Sequence, residues 1–199
     1  MLENPMPGEL WLIRHGETAW SLSGRHTGRT DIPLTDAGRA NAVAVGRYLA
    51  GRQFRLVLTS PLARAMETCR LAGFGAAAQI DPNLCEWDYG DYEGHTTAEI
   101  RAQRPDWFLW ASGLVNGETI GQVAARADAV MARSLQADGD VALFAHGHLL
   151  RILTARWLGL PPEAGRLFAL GAGSVSTLGY ERDTRVIDSW NLKPWALPG

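Results

Sequence analysis

Short apolar runs alternate along the chain with stretches of helical spacing. Leu10-Trp11-Leu12-Ile13 reads as a buried strand, and so do Leu56-Val57-Leu58-Thr59, Ala77 to Ile80 and Val141-Ala142-Leu143-Phe144-Ala145. Between them, Thr35-Asp36 opens a helix, with the hydroxyl as N-cap and the acid at the positive end of the dipole. Ala40, Val43, Ala44 and Tyr48 form its apolar stripe and Gly51 its stop. Ser60-Pro61 predicts another helix start, capped by Ser60, with Arg64 and Thr68 four apart on one face. Thr96-Thr97-Ala98-Glu99 and Thr119-Ile120-Gly121-Gln122 match capping boxes. The second leads into a helix buried through Val123, Ala127, Val130, Met131 and Leu135. Leu149 to Leu158 has helical spacing and is closed by Gly159 and Pro161-Pro162. Alternation from Phe168 to Leu192, with turn signals at Gly179 and Asp183, predicts two antiparallel edge strands before a loose tail ending Pro198-Gly199. Residues 16–35, broken by Gly16, Gly24, Gly28 and Pro33, read as one long irregular loop.

Strands alternating with helices indicate an α/β layer fold with a mostly parallel sheet, and such sheets bind ligands beyond the carboxyl ends of their strands. Arg14-His15 follows the first strand, Ser60 to Arg64 the second, and His146 the Val141 strand. Three unlinked segments therefore deliver two arginines and two histidines to one edge of the sheet.

Composition narrows the partners. At 199 residues, with 46% hydrophobic and 20% charged side chains, the chain is long enough for one domain with a sizeable core. We expect that domain to span 1–199, with an ordered core at 9–192 and short tails. A net charge of -2 gives no reason to expect nucleic acid or an acidic membrane, so an anion site must be a local concentration of positive charge. Cys69 and Cys85 lack metal-ligand spacing and fit buried free thiols in a reducing compartment. No segment reaches the roughly 18 apolar residues of a membrane helix, and Met1 to Gly8 has no basic flank, so a soluble, cytoplasmic protein is expected.

Two guanidiniums, two imidazoles and a helix N-terminus make an anion pocket, and phosphate suits their forked donors best. An imidazole held through one ring nitrogen can use the other as a nucleophile towards a phosphoryl group. Arginines can stabilise the oxygen charge without a metal. The leaving alkoxide needs a proton. Glu86, flanked by aromatics that would lower its hydration and raise its pKa, is the first candidate, ahead of Asp88, Asp91 and Glu93.

Leu12-Ile13-Arg14-His15-Gly16-Glu17-Thr18 resembles the signature of the histidine phosphatase superfamily, in its phosphoglycerate-mutase-like branch. Ser60-Pro61-Leu62-Ala63-Arg64-Ala65 with Glu67-Thr68 is similar to the second motif of that family, and Ala145-His146-Gly147-His148 with Leu150-Arg151 to the third. The resemblance runs in family order from about Leu10 to Tyr180. It implies a three-layer α/β/α sandwich with an antiparallel edge strand, no metal and no cofactor. Under it His15 becomes phosphohistidine, Arg14, Arg64 and His146 clamp the phosphoryl oxygens, and Glu86 is the proton donor and then the base. Where the family commonly has asparagine, Ser21 follows Trp20; Thr27-Gly28 would offer a hydroxyl and a backbone N–H, and Gly147 belongs to the same phosphate-binding set. His148 is either a substrate contact or a cap at a helix start, and His26 stands at the mouth of the pocket. Arg151 is expected to pair with an acidic neighbour.

Trp87 stands where the mutases of the family carry arginine, and the basic insert that would hold a second phosphate is missing. Both departures favour hydrolysis and resemble the acid phosphatase and sugar-bisphosphate phosphatase subgroup. The expected substrate is a small phosphorylated metabolite, and the expected state a monomer or homodimer. A phosphoglycerate mutase is the alternative; a metal-dependent hydrolase using His146-x-His148 and a non-catalytic phospho-ligand binding protein are the other readings.

Overall fold

In the computed structural model, residues 8–197 are described. Positions 1–7 and 198–199, which hold most of the expected tails, lie outside the described residues. The strands are β1 (Leu10–Arg14), β2 (Leu56–Thr59), β3 (Ala78–Ile80), β4 (Val141–Ala145), β5 (Val175–Glu181) and β6 (Thr184–Leu192). The helices are α1 (Ala19–Ser23), α2 (Asp36–Tyr48), α3 (Ala63–Leu71), α4 (Thr97–Gln103), α5 (Ile120–Ser134) and α6 (Gly147–Trp157). The strands form one six-stranded sheet in the order β3-β2-β4-β1-β5-β6. β1, β2, β3 and β4 run parallel, β5 is antiparallel to β1, and β6 to β5.

The continuous apolar runs are explained by burial on both faces, since successive side chains of a strand point opposite ways. Leu10 and Leu12 of β1 and Val141, Leu143 and Ala145 of β4 join one core with Val123, Ala127 and Val130 of α5 and Leu149, Ile152 and Leu153 of α6. Trp11 and Ile13, with Ala142 and Phe144, join a second core with Val45 of α2 and Cys69 of α3. The result is the expected three-layer arrangement of helices, sheet and helices. β1 and β4, central and paired throughout, bring Arg14 opposite Ala145 and so place Arg14-His15 beside His146.

Local readings differ from the structure at several places. The loop at 16–35 contains α1, capped by Thr18 in a box with Ser21. It buries none of its five residues, so it left no apolar periodicity to read. α2 buries Gly38, Ala42, Ala44 and Val45, and Val43 of the expected stripe is exposed. The packed face is the one with small side chains, because Gly46 approaches the backbone of Ala72 closely. Leu135, expected to be buried, is the exposed C-cap of α5. Phe168 to Ser174 is not strand, and Gly179 lies within β5; the turn is at Arg182-Asp183. Both capping boxes, at Thr96 and Thr119, are present as read. Cys69 and Cys85 are free and buried, and burial pushes the Cys69 thiol up to about 12.

Two glycines hold the signature loop against α2. A Cβ on Gly16 would lie 2.3 Å from the Gly38 carbonyl oxygen, and one on Gly38 2.1 Å from that of Glu17. Thr35 N donates to the same Glu17 oxygen at 2.9 Å. We expect Gly38→Ala to lower stability by about 1–3 kcal/mol, the usual cost of overpacking. Gly121→Ala, at an uncrowded helical site, should raise it by about 0.5–1 kcal/mol. Urea unfolding of both variants checks the contrast; equal effects would mean that the loop can move away from α2.

Candidate active site

The end of β1 delivers His15 almost fully buried, at 4% exposure. Its Nδ1 lies 2.7 Å from the Gly16 carbonyl oxygen, which can only accept, so Nδ1 carries the proton and Nε2 keeps a lone pair. His15 lines a cleft of about 170 Å³ with Arg14, Ser21, His26, Thr27, Glu86, Tyr89 and His148 among its walls. Burial, then the Arg64 and Arg14 charges, hold its pKa well below the ordinary imidazole value, and the ring is neutral.

Arg14 donates through one terminal nitrogen to the Leu170 carbonyl at 2.5 Å, while its Nε is buried without a partner among the described residues. A buried guanidinium N–H with no acceptor is costly and suits an anionic ligand. The guanidinium lies over the first residue of α6, where a Cβ on Gly147 would be 3.2 Å from Arg14 Cζ and Nε. The role of Gly147 is thus to let this arginine reach the helix N-terminus.

Arg64 is fully buried on α3. Its Nε donates to His146 Nδ1 at 3.2 Å, and its terminal nitrogens to the carbonyls of Thr30 (3.0 Å), Thr27 (3.1 Å) and Gly28 (2.8 Å). Of the five guanidinium hydrogens, one remains uncommitted. Because Nδ1 of His146 accepts from arginine, its Nε2 carries the proton and donates to Ser60 Oγ at 2.7 Å. Both nitrogens of His146 are therefore engaged, and the ring orders Arg64 and Ser60 instead of offering a free donor. Ser60 does not cap α3 as its sequence predicts. The cap position is Leu62, and the serine faces His146.

Glu86 is 5% exposed, beside the buried Trp87 and Tyr89 expected to desolvate it. Its Oε1 accepts from Trp87 N (2.9 Å) and Leu149 N (2.9 Å), and its Oε2 from His148 N (3.0 Å). The start of α6 thus holds the carboxyl, and the lone pair left for a proton is on Oε2. Arg126, which no sequence signal marked, fixes the Glu86 segment by donating to the carbonyls of Asn83, Cys85 and Glu86 and to Glu118.

The remaining candidates are distributed unevenly. Ser21 lines the cleft, but its hydroxyl donates to Thr18 O and accepts from Thr18 N within the α1 capping box. Thr27 donates to Arg25 O, and Gly28 packs against Trp87 and Glu93, so both serve chiefly as carbonyl acceptors for Arg64. His26 stacks 4.9 Å from Tyr89, and His148 meets the Tyr89 hydroxyl through Nδ1 at 2.6 Å. Among the described residues Arg151 has no acidic partner; it donates to Gly165 O and Arg166 O and lies over Trp110. Glu93, a weaker acid candidate, is committed to Arg29 N and to the N–H and hydroxyl of Thr30.

Comparison with known proteins assigns the arrangement. The profile of the histidine phosphatase superfamily (branch 1) matches residues 10–193. The chain belongs to this superfamily. It is 42% identical over 180 residues to an acid phosphatase of Mycobacterium tuberculosis, covering 88% of each chain. It is 36% identical over 182 residues to sedoheptulose 1,7-bisphosphatase of Saccharomyces cerevisiae, covering 75% of this chain and 67% of that one. The solved structure of a Mycobacterium tuberculosis open reading frame superposes with a TM-score of 0.89 at 40% identity, over 94% of this chain and 98% of that one. Among histidine phosphatases this chain keeps the signature arginine and histidine at the end of its first strand, with the histidine neutral.

Burial and cationic neighbours depress three imidazoles, those of His15, His146 and His148. Each contributes stability that is fully present above the unfolded value near 6.5 and lost as pH falls below it towards the folded value. The slope is about 1.4 kcal/mol per pH unit for each imidazole. Thermal unfolding should therefore shift to lower temperature on acidification below pH ~6.5, and His146→Gln should make the dependence shallower. A melting temperature independent of pH in that window would contradict the neutral assignment.

Proposed function

We propose that this protein is a phosphomonoesterase that hydrolyses small phosphorylated metabolites through a phosphohistidine on His15, without a metal. The observation that carries the reading is His15 itself, a neutral imidazole with Nδ1 bound to Gly16 O and Nε2 open to the cleft, next to an arginine whose buried Nε has no partner. Nε2 attacks phosphorus in line as the ester P–O bond breaks, and the alkoxide takes the proton from Glu86 Oε2. The Glu86 carboxylate then takes a proton from water, whose oxygen attacks phosphorus as the P–N bond breaks. Phosphate leaves, and both side chains return to their starting states. Arg14 and the free hydrogen of Arg64 stabilise the phosphoryl oxygens, and His146 keeps Arg64 and Ser60 in place. One catalytic unit, acting in the cytoplasm, fits this small-molecule role.

The cations at the cleft mouth are already paired, which disfavours retention of a bisphosphorylated intermediate and hence the mutase alternative. Arg25 pairs with Glu99 at 3.1 Å, and Arg29 lies 3.8 Å from Asp88 and 3.9 Å from Glu118. The metal reading is disfavoured because His146 faces an arginine through the nitrogen a cation would need.

The decisive experiment follows free phosphate and 2-phosphoglycerate with 3-phosphoglycerate and a panel of esters as substrates. Phosphate release from several esters is expected, with acid-labile label trapped on the wild-type protein and absent from His15→Ala. Glu86→Gln should cost about 10²–10⁴-fold on alkyl phosphates and less on aryl phosphates, whose leaving groups need no proton. Isomerisation faster than hydrolysis, or full activity in His15→Ala, would overturn the reading.

A further inference from the structure

Tyr89 is 1% exposed, and its hydroxyl has one hydrogen-bond partner among the described residues, His148 Nδ1 at 2.6 Å. The direction of that bond follows from satisfying every buried hydrogen. If Nδ1 were the donor, the phenol hydrogen would have no acceptor. With the phenol donating, Nδ1 accepts and the imidazole proton sits on Nε2. The Glu86 carboxylate offers no competing partner, since its Oε2 is 3.9 Å from Nδ1. Among the described residues His148 Nε2 has no hydrogen-bond partner, and it is accessible where His148 lines the cleft. Burial, with Arg151 next, lowers the pKa of His148 well below the ordinary value, consistent with a neutral ring. The cleft thus presents two imidazoles of opposite tautomer, His15 with an open lone pair and His148 with an open N–H.

We propose that Tyr89 is a positioning residue that fixes His148 as the Nε2–H tautomer, so that His148 donates to an oxygen on the alcohol half of the substrate. The substrate class is then the phosphate monoester of a polyhydroxylated alcohol, with an acceptor hydroxyl near the ester carbon. Arg25, a charged group that also lines the cleft, is bound to Gly94 O and Glu99, which leaves recognition beside His148 to neutral donors. The inference rests on the phosphatase reading for its substrate half and on the hydrogen-bond geometry for its tautomer half.

Glycerol 2-phosphate and isopropyl phosphate test it, because they share a branched secondary ester carbon and differ by the two hydroxyls. Tyr89→Phe should lower the ratio of kcat/KM for glycerol 2-phosphate over isopropyl phosphate about tenfold, the scale of one hydrogen bond, mainly through KM. The double variant with His148→Gln should be no worse than His148→Gln alone. Nitrogen-15 spectra of histidine-labelled wild-type protein should show His148 protonated on Nε2, and Tyr89→Phe should admit the other tautomer. An Nδ1–H ring in the wild type, an unchanged ratio, or equal losses on both esters in Tyr89→Phe would overturn the proposal. Should the wild-type protein release phosphate from neither ester, the phosphatase reading and the substrate class fall together, and the spectra alone decide the tautomer.

Discussion

The site depends on a guanidinium buried without a carboxylate. Arg64 is surrounded by backbone carbonyls and one imidazole, and the cost of taking its charge out of water is offset only because nearly every hydrogen meets an acceptor. That requirement dictates the course of the chain from Thr27 to Thr30, which must turn three carbonyls inward. It also sets the tautomer of His146, which must leave Nδ1 free to accept. Loop, helix and strand end are thereby joined at one side chain, and the loop that borders the cleft is held by the same residue whose one uncommitted hydrogen is proposed to meet the phosphoryl group.

Protonation states in the cleft follow from hydrogen-bond partners more than from charge. His15 donates a hydrogen bond from Nδ1 to a carbonyl, whereas His146 and His148 accept hydrogen bonds there from arginine and phenol. Burial first, then the Arg64 charge at His15 and His146 and the Arg151 charge at His148, holds all three imidazoles well below the ordinary value. In the proposed reaction a neutral nucleophile needs no base to activate it, which leaves the Glu86 carboxyl to serve the leaving group and then water. Its geometry comes from the first N–H groups of α6, the same helix whose leading glycine admits Arg14.

Relatives at 36–42% identity include an acid phosphatase and a sugar bisphosphatase. In this chain Arg14 and His15 enter the cleft from a strand end fixed by the fold, while the loop around His26 and the aromatic insert around Tyr89 make the walls that the proposed reaction assigns to the alcohol. Loops on a rigid scaffold are where specificity can change without disturbing the chemistry.

The sequence by itself determined the alternation of buried strands and helices and the three segments that meet at one sheet edge, and it named Arg14, His15, Arg64, Glu86 and His146 as the candidate site. Those features are written in local patterns: apolar runs long enough to be buried on both faces, capping boxes, and motifs at strand ends. Tertiary structure alone decided which donors remain free. Ser60 looks like a cap and is a partner of His146; Ser21 looks like a phosphate contact and is tied to Thr18; Arg151 looks like half of an ion pair and binds carbonyls. Arg126 left no signal at all, and Tyr89 only its place among the aromatics beside Glu86. The physical reason is that a hydrogen bond between side chain and distant backbone depends on where a carbonyl points, and every residue carries the same carbonyl.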